Sequence, residues 1–183
     1  MRWKRSWGMT RRVEGDFQAY VAARGAGWER YAYALTGDAH RAQDLVQTVL
    51  LQAYRRWPRI AAVEHPDAYI RRMMTNSYLG WRRRRRNGEI PTGDLPEPEN
   101  SPDPAIGVVD RDELGRALRE LSPHQRAVLV LRHVEGLDDE AIAQILGCSV
   151  GTVRGHASRG RQRIRGLLTH TDNSTSSPAK GSR

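Results

Sequence analysis

The chain has 183 residues and a formal net charge of +9 at pH 7, with a sequence pI near 10.5. That length fits one or two small domains, and so basic a balance implies a polyanionic partner, nucleic acid before an anionic membrane surface. The single cysteine, Cys148, excludes an intramolecular disulfide and a cysteine-cluster zinc site, and the six histidines show no H-x-x-x-H spacing, so no metal or other cofactor is expected.

The opening stretch "MRWKRSWGMTRR" is positive but leads into no apolar core, which argues against a secretory signal. Residues 1–15 show no helical period and are expected to be disordered. From 16 to 86 the chain reads as a first helical domain. Phe17, Tyr20, Val21, Trp28, Tyr31 and Leu35 predict one or two helices around Gly25 and Gly27. The next segment, "AQDLVQTVLLQAYRRW", sets Ala42, Leu45, Val46, Val49, Leu50, Ala53, Tyr54 and Trp57 at i, i+3, i+4 spacing. That is an amphipathic helix. Asp38 can cap its start and Pro58 is expected to end it.

A third helix follows in "HPDAYIRRMMTNSYLGWRRRRR", with Ile70, Met73, Met74, Ser77 and Trp81 as its apolar stripe. From Ala68 to its end it holds no acidic residue, carries Arg71 and Arg72, and finishes on five consecutive arginines at 82–86. Tyr69, Tyr78 and Trp81 are interleaved with them. A basic groove with aromatics is how proteins hold unstacked bases; a solvated helix end and a core tryptophan are the plainer readings of the same residues.

Residues 87–109 contain "NGEIPTGDLPEPENSPDPA", rich in Pro, Gly and acid, and read as a flexible linker. The second domain spans 110–168 and reads as four helices. Leu114, Ala117, Leu118 and Leu121 mark the first. Ser122-Pro123-His124-Gln125 is a capping box that opens the second, which contains the longest aliphatic run, 127–131. That run is far too short to span a membrane. A short helix from Asp138 to Leu146 buries Ala141, Ile142, Ile145 and Leu146. A turn at Gly147-Cys148-Ser149 leads into a basic last helix. Short helix, tight glycine turn and basic helix form the helix-turn-helix pattern. In the last helix Val150, Val153, Ala157, Gly160, Ile164 and Leu168 share one side. Thr152, Arg154, Gly155, His156, Ser158, Arg159, Gln162 and Arg163 lie on the opposite side or flank it. This face has no acid and small residues that permit close approach to base edges. The polar tail, 169–183, is expected to be disordered.

Three stretches carry a family resemblance: "LTGDAHRAQDLVQTVLLQAYRRW", "PDAYIRRMMTNSYLGWRRRRR" and "LRELSPHQRAVLVLRHVEGLDDEAIAQILGCSVGTVRGHASRGRQRIR". In order and separation they resemble the extracytoplasmic-function sigma factors of bacterial RNA polymerase, in particular the SigE-like group of actinobacteria. The resemblance implies an all-α protein of two small helical domains, sigma region 2 and sigma region 4, joined by the linker. It implies a non-catalytic initiation factor that binds core RNA polymerase, at the beta-prime clamp helices through Asp44 and Gln47, and at the beta flap. The loop between Trp57 and Asp67 and the helix after it would open the −10 element, with Tyr69, Arg72, Asn76, Trp81, Arg82 and Arg83 on DNA. Thr152, Arg154, Gly155, Ser158, Arg159 and Arg163 would meet the −35 element. An anti-sigma partner and a cytoplasmic location, with no membrane partner, belong to the same picture. Thr48 departs from it, standing where many relatives carry Glu, and Gly155 and Ser158 leave a smaller reading surface than bulkier relatives have.

Two other readings compete. A self-sufficient repressor would also carry a helix-turn-helix, but the basic, aromatic third helix does not suit a ligand or dimer domain. A nuclease would need clustered carboxylates, whereas the acid-rich stretch is the linker.

Overall fold

The computed structural model of the protein describes residues 4–87 and 110–175, with side chains from 16 to 85, at 87, and from 115 to 168. The expected linker, apart from Asn87, lies outside the described residues. Among the described residues there are eight helices and no strand, and the chain divides into two compact units, Met1–Arg83 and Arg84–Arg183.

In the first unit, α1 (Lys4–Thr36) is one continuous helix. It replaces the one or two helices expected, and it takes in residues 4–15, which the sequence had marked as disordered. Trp28, Tyr31, Ala32 and Leu35 are buried along it and supply the tertiary anchor. Once a helix is nucleated, each added residue gains a hydrogen bond without needing its own apolar stripe. That is why a segment lacking periodicity escaped notice.

Gly37, at φ +70°, closes α1 with its N–H donating to the Tyr33 carbonyl at 2.7 Å. Asp38 then caps α2 (Ala39–Arg55), its Oδ1 accepting from the Arg41 N–H at 2.8 Å. This short turn folds α2 back against α1. Phe17 meets Tyr54 and Trp57 at centroid distances of 5.3 and 5.1 Å, and Tyr20 meets Trp57 at 4.8 Å. Such tilted and edge contacts stabilise an aromatic cluster beyond its area burial. Pro58 does follow the end of α2, but it also opens a further short helix, α3 (Trp57–Ile60), because proline suits a first helical turn.

α4 (Pro66–Arg86) buries Ile70, Met74, Thr75 and Tyr78. This corrects the expected stripe: Met73, Ser77 and Trp81 are half-buried, and Tyr78, expected among the arginines, is core. Residues 70, 74 and 78 form an i, i+4, i+8 line, and hydrogen bonding lets Thr75 join it. Thr75 Oγ1 lies 2.7 Å from the Tyr31 hydroxyl and donates to the Arg71 carbonyl at 2.9 Å.

The second unit is built around α6 (Pro123–His133), whose residues 126–131 are all buried. The aliphatic run read from the sequence is thus its central helix, packed against α7 (Asp139–Leu146) and α8 (Val150–Thr175). α5 (Asp110–Arg119) also packs on α8. Buried Arg126 donates through Nε to the Leu118 carbonyl at 2.6 Å. It joins the Leu121 N–H, at 3.2 Å, on a carbonyl in the last turn of α5, where the helix itself offers no donor. The capping box at Ser122 and Gln125 forms in both directions. In α7, Ile142 and Ala143 are buried whereas Ala141, Ile145 and Leu146 are only half-buried; α7 contacts both α6 and α8, which turns its most enclosed edge by one residue. α8 runs on to Thr175, seven residues past the expected end at 168, again by propagation from a packed segment.

The glycine of the helix-turn-helix turn has a conformational reason. Gly147 sits at φ 64°, ψ 38° as the C-cap of α7, a left-handed geometry that a Cβ disfavours. Gly160 has a packing reason: a Cβ there would lie 3.0 Å from Leu129 Cδ1. Gly160→Leu should therefore push α8 off α6 and lower the stability of this unit by about 1–3 kcal/mol, as overpacking does. Thermal unfolding followed by circular dichroism checks it.

Candidate nucleic-acid interface

α8 is held by buried Val153, Ala157 and Gly160, with Val150, Ile164 and Leu168 half-buried beside them. Opposite and flanking this stripe, Thr152, Arg154, Ser158, Arg159 and Arg163 are exposed and Gly155 is half-buried. All six residues expected at the −35 element thus lie off the buried stripe of a single helix. Ser149 caps that helix: its Oγ accepts the Thr152 N–H at 3.1 Å and lies 2.9 Å from Thr152 Oγ1. Gly155 is filled by a neighbour, since the Arg159 guanidinium lies where a Cβ at 155 would come within 3.4 Å of its Nη1. Arg163 approaches Glu120 at 3.7 Å with both side chains 58% exposed, a surface pair worth little in water.

One contact at this face was not foreseen. Asp139, in the first turn of α7, receives Arg132 from α6 on Oδ1 and the Nε of Arg154 on Oδ2 at 3.2 Å. Burial pushes the Asp139 carboxyl up, but hydrogen bonds from Arg132 and Arg154 outweigh it and hold the group below its ordinary value of 3.8. No sequence signal joins residues 139 and 154, which lie on different helices across the turn.

His156 also belongs to α8. Its ring stacks on that of His124 at 5.5 Å with an interplanar angle of 20°, and its Nδ1 is buried without a hydrogen-bond partner among the described residues. Burial lowers its pKa below 6.5, and the nearby His124 and Arg159 lower it further. The unfolded chain binds the proton more readily than the folded one, so stability is unaffected by this group well above pH 6.5. It falls as the pH drops below about 6.5 and levels off under the depressed folded value. Thermal melts across pH 5–8 should show that decline in the second unit, and His156→Gln should flatten it.

In the first unit, α4 presents a comparable face. Tyr69, Arg72, Asn76 and Arg83 are exposed, and at 100° per residue they fall within one narrow sector opposite the buried line. Arg82 is half-buried to one side of that sector, and Trp81, also half-buried, falls on the side of the buried line, so the six residues expected at the −10 element do not all share that face. Trp81 lies under the Arg41 guanidinium at 5.4 Å, a cation–π contact that ties it to α2. Residues 61–65, between α3 and α4, are exposed throughout. The base of this loop is fixed to α1: the Tyr20 hydroxyl donates to Asp67 Oδ1 at 2.9 Å, and Arg24 pairs with Asp67 Oδ2. Burial, then the Asp67 carboxylate, push the Tyr20 phenol well above its ordinary value of 10.0. Asp44 and Gln47 are exposed on α2. Leu51, one turn on from Gln47, is 55% exposed on the same side; its place off the apolar stripe was the sequence signal for it.

No described helix is long and apolar enough to cross a membrane. Family models for sigma-70 region 2 and sigma-70 region 4 match residues 28–88 and 111–164. The chain is 40% identical over 157 residues to the RNA polymerase sigma-E factor of Streptomyces avermitilis, covering 86% of this chain and 87% of that one. It is 35% identical over 158 residues to the ECF RNA polymerase sigma factor SigE of Mycolicibacterium smegmatis, covering 82% of this chain and 60% of that one. Among solved structures it is similar to the sigma factor RpoE in complex with the anti-sigma factor NepR from Bartonella quintana, with a TM-score of 0.69, 26% identity, and coverage of 84% of this chain and 97% of that one. Two sigma regions in order, on two helical units whose basic faces point outward, place this chain in the extracytoplasmic-function group of the sigma-70 family of RNA polymerase sigma factors.

Proposed function

We propose that α8 carries the −35 contact of this sigma factor through Thr152, Arg154, Gly155, Ser158, Arg159 and Arg163. The −10 element meets α4, with Tyr69, Arg72, Asn76 and Arg83 directly on DNA and Trp81, Arg82 and the 61–65 loop beside them. Asp44 and Gln47, with Leu51, form the polymerase-facing patch of α2 toward the beta-prime clamp helices, and the second unit docks on the beta flap. The chain supplies recognition and strand opening and performs no catalytic step; nucleotide addition belongs to the polymerase. It acts in the cytoplasm, where polymerase and promoter DNA are, and an anti-sigma protein of the kind seen in the similar solved complex restrains it.

The observation that carries this reading is the outward face of α8. The helix is anchored by Val153, Ala157 and Gly160, has no acid from 150 to 168, and leaves its arginines exposed. An acid-free basic face on a helix-turn-helix fits the major groove, where arginine reads guanine edges.

The reading of α4 is tested at Asn76. A flipped base is read by hydrogen bonds only after it leaves the stack. Asn76→Ala should therefore reduce open-complex formation more than duplex binding by holoenzyme, and a premelted bubble template should recover part of the loss. Permanganate footprinting of the promoter measures this; unchanged reactivity would remove Asn76 from the base-contacting set.

A further inference from the structure

We propose that Asp139 is a specificity-determining positioning residue, which holds Arg154 in the one orientation that reads a base in the −35 element. This rests on the assignment of Arg154 as a base reader and adds a residue that does not itself touch DNA.

The geometry is that of a supported side chain. Asp139 stands at the start of α7, its side chain only 19% exposed, and Arg132 from α6 occupies its Oδ1. The carboxylate is thereby tied to α6 before it meets α8. Its other oxygen takes the Nε–H of Arg154, whose side chain is 68% exposed. An unsupported arginine at that exposure samples many rotamers, and ordering it on binding opposes affinity. Asp139 performs that ordering in the free protein. The choice of nitrogen matters as well. Because Asp139 engages Nε, the end of the guanidinium bearing both Nη groups remains presentable to guanine O6 and N7 as a fork. The carboxylate has a second effect. It places a negative charge beside the reading arginine and repels phosphate, so Arg154 gains little from DNA of the wrong sequence.

These two effects predict an unusual signature. Neutralising Asp139 should weaken discrimination and strengthen indiscriminate binding together. A merely structural residue would weaken both.

The test uses holoenzyme made from the full chain and core polymerase, and selects bound duplexes from a pool randomised across the −35 element. Wild type should return a guanine preference that Arg154→Ala erases. Asp139→Asn should flatten the preference at the same position about two- to tenfold, the scale of ordering one long side chain, and leave the other positions alone. Its binding to scrambled DNA should rise, with a salt dependence steeper by about one counterion. Asp139→Glu should restore discrimination in part. Should Asp139→Asn lower thermal stability, Asp139→Ser, a residue suited to helix starts, carries the same expectation. If Arg154→Ala keeps the preference, the assignment of Arg154 fails. If Arg154→Ala erases it while the Asp139 variants keep it, the proposal fails and the assignment stands. Asp139 variants that flatten every position equally, or weaken binding to all DNA, overturn the proposal in favour of a structural role.

Discussion

Arg154→Ala should cost holoenzyme about 1–3 kcal/mol on its preferred −35 sequence and little on a scrambled one. Arg154 lies in the second turn of α8, near the end that recognition helices present to base edges. It is held at Nε by Asp139 and is otherwise open to solvent. Arg163 lies further along, and its ion pair with Glu120 is a long one, 3.7 Å, at the surface. A phosphate replaces such a partner at small cost. Arg163→Ala should therefore weaken both sequences alike and reduce the salt dependence by about one counterion. A salt titration of holoenzyme binding, with both variants on both DNAs, separates the two roles. Equal weakening of the two DNAs by Arg154→Ala would take this arginine off the bases.

Leu131→Ala should cost the second unit about 2–5 kcal/mol, the usual range for emptying a fully buried leucine site. Leu131 is fully buried at the end of the aliphatic run of α6. So small a domain has limited stability to lose. Its melting temperature should drop by more than about 10 °C. The first unit has its own core of Trp28, Tyr31, Leu35, Val49, Ile70 and Tyr78, and its transition should stay in place. Hydrogen exchange resolved by segment checks this: amides of α6–α8 should lose protection while those of α1, α2 and α4 keep theirs. Equal loss in both would show that the two units unfold as one.

What the sequence revealed depended on how local the chemistry was. The caps at Asp38 and Ser122 were legible because donor and acceptor lie within three residues. The buried side of α8 was legible because one helical period suffices to sort Val153, Ala157 and Gly160 from the arginines. The stripe of α4 was read less well. Thr75 and Tyr78 entered the core in place of Ser77 and Trp81, because Tyr31 on α1 offers a hydrogen bond to Thr75 and Arg41 on α2 draws Trp81 aside. Both partners are more than a helix away in sequence. Arg126 illustrates the same limit: an arginine just ahead of the aliphatic run looks solvated until the carbonyl of Leu118 is placed against it.

The candidate interface divides along the same line. Exposure of Tyr69, Arg72, Asn76 and of the α8 arginines follows from helical geometry alone. The support behind them does not. Asp139 behind Arg154, and Tyr20 with Arg24 behind Asp67, join segments that only the folded chain brings together. The continuity of α1 across Gly25 and Gly27 was hidden for another reason. Two interior glycines weaken a helix by roughly 1 kcal/mol each, and burial of Trp28, Tyr31 and Leu35 outweighs that penalty.

The central claim is that this chain gives promoter specificity to an enzyme it does not itself contain. In vitro transcription with purified core RNA polymerase, on templates bearing promoters selected by the holoenzyme, tests it most directly. The account predicts a defined transcript only when chain and core are both present, and weak binding of the promoter by the chain alone. Tight, sequence-specific binding by the isolated chain with no transcript from the mixture would contradict it.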